Sequence, residues 1–500
     1  MKTRRSASGR WIQDWEPENE EFWERAGRRI ARRNLVISVL SEHIGFSVWS
    51  LWSVLVLFMS PEIGLGFAPE EKFLLVVVPT LVGAVLRLPY SYAVTRFGGR
   101  NWTVFASAVL LVPTVLALVF VQRPGTPLWV FLLIGATAGV GGANFASSMT
   151  NITIFYPQRH QGWALGVNAG GGNLGVAVIQ ILGLLVIATA GNTHPSYVIA
   201  LYLPLIVIVS VLSALRMDNV DAVRAEPGAL REAVGSRHTW WISVLYIGTF
   251  GSFIGYGFAF GLVLQSEFGS TPLEAASVTF LGPLLGSLAR PFGGRMADRW
   301  GGARVTVVTF AGLAGGTGLL LMASRAGSFA LFVAAFTVLF VLSGLGNGST
   351  YKMIPAVFAR EAEEAITSGA GAPQAFARAR RVSGAVIGIA GAVGALGGVA
   401  VNLVFRASYQ DGGSGDTAFL CFLAFYALCV LILLRVYLRP ERTAAPAPGP
   451  ARPGRPVSAD GTRGPGRRSP PTAPTAPCSA APCCAPAGRA SSWNRPRTSR

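Results

Sequence analysis

Charge is what this sequence lacks. Only 13% of its 500 residues are Asp, Glu, Lys or Arg, against roughly 25% in soluble proteins. Cysteine and histidine are scarce too, at five and four. Cys421 and Cys429 lie in an apolar run, and Cys478, Cys483 and Cys484 lie near the C-terminus. No Cys-x-x-Cys pair and no Cys/His zinc spacing appears, so a disulfide scaffold and a metal centre are excluded, and no cofactor is expected. A Gly-x-x-x-x-Gly-Lys-Ser/Thr loop is also missing, which leaves ATP coupling unsupported. What is present is apolar: 51% hydrophobic residues, 60 glycines and a mean hydropathy of +0.47. A soluble multidomain enzyme and a disordered chain do not fit this composition; a polytopic membrane protein in a lipid bilayer does.

A helix needs about 20 apolar residues to cross the bilayer core. Twelve runs qualify: 34–59, 72–95, 101–121, 129–155, 163–188, 196–215, 240–264, 273–295, 303–323, 329–357, 382–405 and 416–438. An all-α membrane protein of twelve transmembrane helices is expected. The net charge of +18 is distributed as in a membrane protein, so nucleic acid is not an expected partner. Residues 1–33 carry nine Lys/Arg, and the loops on the same side of the spans carry fourteen, against four on the other. The positive-inside rule then predicts both termini in the cytoplasm, in the cell's cytoplasmic membrane. The expected order is a cytoplasmic segment 1–33, a six-helix bundle 34–215, a cytoplasmic linker 216–239, a second bundle 240–438 and a disordered tail 439–500. A monomer is expected.

The two halves repeat. Gly83, Arg87, Arg96, Gly98, Gly99, Thr103, Gly141 and Asn144 match Gly286, Arg290, Arg299, Gly301, Gly302, Thr306, Gly344 and Asn347, all displaced by 203. This implies two pseudo-symmetric bundles related by an axis along the membrane normal, the major facilitator fold, with a binding site between them near the midplane. The stretch Gly294-Arg295-Met296-Ala297-Asp298-Arg299 resembles that superfamily's cytoplasmic signature.

Arg87 and Arg290 fall inside the second and eighth spans. A central membrane arginine costs about 2.5–3.5 kcal/mol on insertion scales, and the apolar interior offers almost no carboxylate except Glu42. Two symmetry-related cations short of counter-ions predict that the missing charge is a small transported anion. The planar guanidinium fork favours a flat oxyanion: nitrate, nitrite, formate or bicarbonate. Glycines at three- and four-residue spacing, among them Gly166, Gly172, Gly175, Gly388, Gly394 and Gly397, are read as helix-packing and gating positions.

Residues Gly142-Ala143-Asn144-Phe145-Ala146-Ser147-Ser148-Met149-Thr150-Asn151-Ile152, continuing through Phe155-Tyr156-Pro157 to Ala164-Leu165-Gly166-Val167-Asn168 and Gly172-Asn173-Leu174-Gly175, resemble the signature region of the nitrate/nitrite porter family. The resemblance covers most of 34–438. It implies that Arg87 and Arg290 clamp nitrate or nitrite, that Asn173 and Tyr246 are polar partners of the oxyanion, and that Phe145 and Phe250 pack against its flat face. The family contains nitrate/proton symporters and nitrate/nitrite antiporters. Glu42, His43 and Lys352, ionisable residues within spans, are the proton-coupling candidates, and Glu42 with His43 favours symport for nitrate uptake. A carrier of another planar anion, a nitrate sensor and a membrane enzyme are the competing readings. The tail lacks the apolar pattern of an output domain, and the spans lack a catalytic constellation, so no enzyme is expected.

Overall fold

The computed structural model describes residues 11–221 and 227–438, so the tail expected at 439–500 lies outside the described residues. Twelve helices are long and apolar enough to cross a membrane: α1 Glu20–Phe58, α2 Pro69–Phe97, α3 Gly99–Phe120, α4 Leu128–Phe155, α5 Arg159–Ala190, α6 Pro195–Arg216, α7 Arg237–Phe268, α8 Pro272–Trp300, α9 Gly302–Arg325, α10 Phe329–Thr367, α11 Gln374–Gly412 and α12 Asp416–Tyr437. Each covers one of the twelve apolar runs to within one residue, and several reach well past it. Helices α1, α10 and α11 have 39 residues each. At 1.5 Å per residue that is about 58 Å, nearly twice the roughly 30 Å hydrocarbon core. Hydropathy marks only the part of a helix that lipid surrounds; the polar continuation into water leaves no such trace. At the start of α1 that continuation is set by capping, where the Asn19 side chain accepts a bond from the Phe22 N–H.

The repeat is written in the backbone as well as the sequence. Helix α2 ends at Gly98 with φ 86° and ψ 143°, and α8 ends at Gly301 with φ 87° and ψ 135°. A positive φ of this kind is where glycine carries no Cβ penalty. The same turn therefore closes the second helix of each half.

The polar N-terminal segment is folded from Trp11 onward. Trp11–Ile12 (β1) pairs in parallel with Asn219–Val220 (β2), which follows α6. Arg33 and Asn34 both donate to Asp218, and Trp15 Nε1 donates to the Ile154 carbonyl at 3.1 Å. Further along the linker, a short helix Pro227–Gly235 buries Ala233 against Ile242, Phe358 and Val386.

The two halves meet through α2 against α11, α5 against α8 and α1 against α7, with α5 also reaching α7. Phe73 stacks on Phe405 and Tyr409 at 6.1 and 5.8 Å, and Gln180 Nε2 donates to the Gly257 carbonyl at 2.8 Å. These contacts lie toward the C-terminal ends of α5 and α11. Nearer their N-terminal ends, a Cβ at Gly166, Gly170, Gly384 or Gly388 would meet nothing within 4 Å. The contacts mark the end at which the halves are joined, and the open surroundings of these glycines the end at which they are read as parted. Outward faces are apolar: Leu133, Val308 and Met322 are each more than half exposed, a surface suited to lipid.

Candidate functional site

Arg87 lies on α2 two residues before Pro89, and Arg290 lies on α8 directly before Pro291. Both are buried, at 1% and 6% exposure. Arg87 Nη1 donates to the Gly391 carbonyl of α11 at 2.7 Å, and Arg290 Nη2 donates to the Tyr246 hydroxyl of α7 at 3.0 Å. Nε and Nη2 of Arg87 and Nη1 of Arg290 are left buried with no hydrogen-bond partner among the described residues. Among the described residues, neither arginine forms a salt bridge.

The two cations share one pair of rings. Phe145 of α4 and Phe250 of α7 stack at 5.9 Å. Arg87 Cζ is 4.7 and 4.9 Å from their centroids, and Arg290 Cζ is 6.0 and 5.9 Å from the same two. Tyr246 extends the stack, 5.1 Å from Phe250. Ring faces attract cations, but they carry no full charge, so two guanidinium groups gathered on one ring pair still repel. An anion set among their free N–H groups would cancel that repulsion and satisfy the donors together.

Asn173 is a neutral polar group of α5. It is 1% exposed, and both atoms of its amide lack partners. Asn144 and Asn347, a pair in the 203-residue repeat, are buried and unpartnered in the same way. Each unmet polar group in such a place costs on the order of 1–3 kcal/mol.

Glu42, fully buried on α1, stands near the arginine cluster. Ser148 Oγ of α4 and Asn168 Nδ2 of α5 each donate to its Oε2 at 2.6 Å. Oε1 has no partner and faces Gly172, where a Cβ would stand 2.2 Å away. Helix α5 therefore needs glycine at 172 for the carboxylate to lie where it does. Both arginines are within electrostatic range of Glu42 without touching it. His43 is tied to the α5 backbone, its Nδ1–H donating to the Gly171 carbonyl at 3.0 Å.

Three sequence expectations change. Lys352 does not join this cluster; its ammonium pairs with Asp298 of the signature stretch at 2.9 Å, and both side chains are partly exposed. Gly166 and Gly388 are not tight-packing positions, since a Cβ at either would have nothing within 4 Å. At Gly175, Gly394 and Gly397, by contrast, a Cβ would press on the His43 carbonyl, the Tyr246 ring and the Gly251 Cα at 2.3, 2.4 and 2.9 Å. Sequence reasoning missed Tyr351, whose ring lies 5.0 Å from that of Tyr246 and 5.6 Å from Arg290 Cζ. It also missed the roles of Ser148 and Asn168, although both stand in the quoted signature. Polar side chains inside apolar spans were the available signal.

The sequence model of the Major Facilitator Superfamily matches residues 43–379. The nitrate/nitrite transporter NarU of Escherichia coli K12 is 38% identical over 447 residues, 86% of this chain and 96% of that protein. The probable nitrate/nitrite antiporter NarK2 of Thermus thermophilus is 32% identical over 461 residues, 87% and 96% of the two chains. Among solved structures, a D-xylose-proton symporter superposes with a TM-score of 0.58 at 14% identity, covering 81% of this chain and 98% of the other, a likeness of fold alone. With two six-helix halves, a family model across most of the spans and relatives matched over nearly their whole length, the chain belongs to the major facilitator superfamily and, within it, to the nitrate/nitrite porter family.

Proposed function

We propose that this protein carries nitrate and nitrite across the cytoplasmic membrane by alternating access, with Arg87 and Arg290 as the anion clamp. One observation carries this reading: two buried guanidinium groups, one from each half, share the Phe145–Phe250 pair and, among the described residues, hold unpartnered N–H groups with no carboxylate in contact. The names of the relatives, nitrate/nitrite transporters, fit the same cargo. Asn173 and Tyr246 orient the anion, and the rings keep water from its faces. Bound anion lowers the repulsion between the halves, which lets the parted end close and the joined end open. The excess of arginine in the loops on the N-terminal side puts both termini in the cytoplasm, so the parted end is the cytoplasmic one. The protein works as a monomer without a cofactor.

Coupling runs through Glu42. A buried carboxylate with one free oxygen, in range of both arginines, can take a proton when the anion arrives and lose it when the anion leaves. A second reading, strict nitrate/nitrite exchange, is favoured by the name of the Thermus thermophilus relative. Labelled-nitrate uptake into proteoliposomes separates the two, run once with an inward proton gradient and once with internal nitrite. Uptake under neither condition would defeat the transport reading.

Glu42→Gln should abolish the acceleration by a proton gradient while exchange against internal nitrite survives. Undiminished proton-driven uptake in that variant would remove Glu42 from the mechanism. Gly172→Ala should act in the same direction, because the new methyl displaces the carboxylate from Ser148 and Asn168. The ratio of proton-driven to exchange flux reads this out, and a ratio equal to that of the unaltered protein would count against the placement of Glu42.

A further inference from the structure

We propose that Tyr351 is a specificity-determining residue, its hydroxyl donating to the oxygen that nitrate has and nitrite lacks; the inference rests on the oxyanion reading above. Tyr351 sits on α10, with its ring against Tyr246 at 5.0 Å and 5.6 Å from Arg290 Cζ. Its hydroxyl oxygen is buried and has no hydrogen bond within 3.5 Å among the described residues, only a looser interaction with the Tyr246 hydroxyl. A Cβ built on Gly391 would lie 3.7 Å from that oxygen and 3.8 Å from Arg87 Nη1. The hydroxyl of Tyr351 and the guanidinium of Arg87 therefore look onto one small space, kept open by the missing side chain at 391. The ring of Tyr351 meanwhile leans on the other arginine. One phenol thus lies near both arginines of the clamp.

The donor inventory gives this hydroxyl its task. A guanidinium fork matches two oxygens of a planar anion, and two forks from opposite sides can satisfy both oxygens of nitrite. Nitrate brings a third oxygen, which needs a donor of its own. Of the neutral donors, the Asn173 amide comes from the other half and Tyr246 is engaged with Arg290, whereas the Tyr351 hydroxyl shares the space at Gly391 with Arg87. With nitrate bound that donor is satisfied; with nitrite it stays buried and unmet. A site built around a substrate's polar group discriminates against the analogue that lacks it, because its own buried partner is then left unpaired. The alternative, that Tyr351 only fills space beside Tyr246, predicts no difference between the two anions.

Tyr351→Phe tests this, since it keeps the ring and removes the hydroxyl. The full chain in proteoliposomes is loaded for counterflow of labelled nitrate, and unlabelled nitrate and nitrite are titrated as competitors. The half-saturating nitrate concentration should rise about tenfold or more, the loss expected for a hydrogen bond to a charged group, while that for nitrite stays unchanged. Thermal stabilisation of the detergent-purified variant by each anion gives the same comparison without requiring transport. No shift for nitrate, or equal shifts for both anions, would overturn the role of Tyr351 and leave the arginine clamp intact. Failure of the unaltered protein to bind either anion would instead defeat the reading on which the inference rests.

Discussion

Arg87→Lys and Arg290→Lys should each lower nitrate transport by roughly a hundredfold or more, in both proton-driven and exchange modes, from the loss of two charge-assisted hydrogen bonds apiece. The charge is conserved in both variants, so a simple need for positive potential predicts little change. The geometry predicts otherwise. Arg87 commits Nη1 to the Gly391 carbonyl and keeps Nε and Nη2 for another partner. A lysine has a single nitrogen and cannot hold the α11 backbone and an anion in the plane of a fork at once. Arg290 divides its donors likewise between Tyr246 and a free Nη1. Loss of the flat cation also removes the stacking on Phe145 and Phe250. Initial uptake rates in proteoliposomes, with reconstituted protein quantified for each variant, check the result. Transport within a few-fold of the unaltered rate for either lysine variant would show that charge alone suffices.

Gly344→Ala should disable the protein for a different reason. A Cβ at 344 would lie 2.1 Å from the carbonyl oxygen of Gly286 and 2.8 Å from its carbon. Those atoms are backbone, so no rotamer change relieves the clash, and α8 must move away from α10. Arg290 stands one helical turn beyond Gly286 on α8. Overpacking of this kind costs about 1–3 kcal/mol or more, and the displacement also pulls Arg290 from Tyr246. The variant should lose most of its transport and unfold at a lower temperature. Gly315→Ala is the control: on the outward side of α9, a Cβ there meets nothing within 4 Å, and transport and stability should be unchanged. Equal behaviour of the two variants would show that the α8–α10 contact does not position the arginine.

How much of this was legible in the sequence follows from the physics of each signal. An arginine in an apolar run is conspicuous because lipid makes charge expensive, so Arg87 and Arg290 could be found without coordinates, and their equal displacement with Gly98 and Gly301 disclosed the repeat. The helix ends were not legible, because hydropathy reports the bilayer rather than the hydrogen-bonded helix, and α10 and α11 run on past it. Glu42 was visible as a carboxylate in a span, but its partners Ser148 and Asn168 lie more than a hundred residues away on other helices. Gly172 looked like one more small residue in a stripe; only the position of Oε1 explains it, just as only empty surroundings set Gly166 and Gly388 apart. Tyr351 was hidden because a tyrosine in an apolar span is ordinary, and nothing in a linear sequence says that its hydroxyl ends beside Gly391. Lys352, one residue on, looked equally suited to the interior, yet it turns to Asp298.

A structure of the protein with nitrate bound tests the central claim most directly. The account predicts flat density among the free nitrogens of Arg87 and Arg290, in contact with the Phe145 and Phe250 rings, with no carboxylate bonded to either guanidinium. Nitrate seated elsewhere, or either arginine paired to Glu42 while the anion is bound, would contradict it.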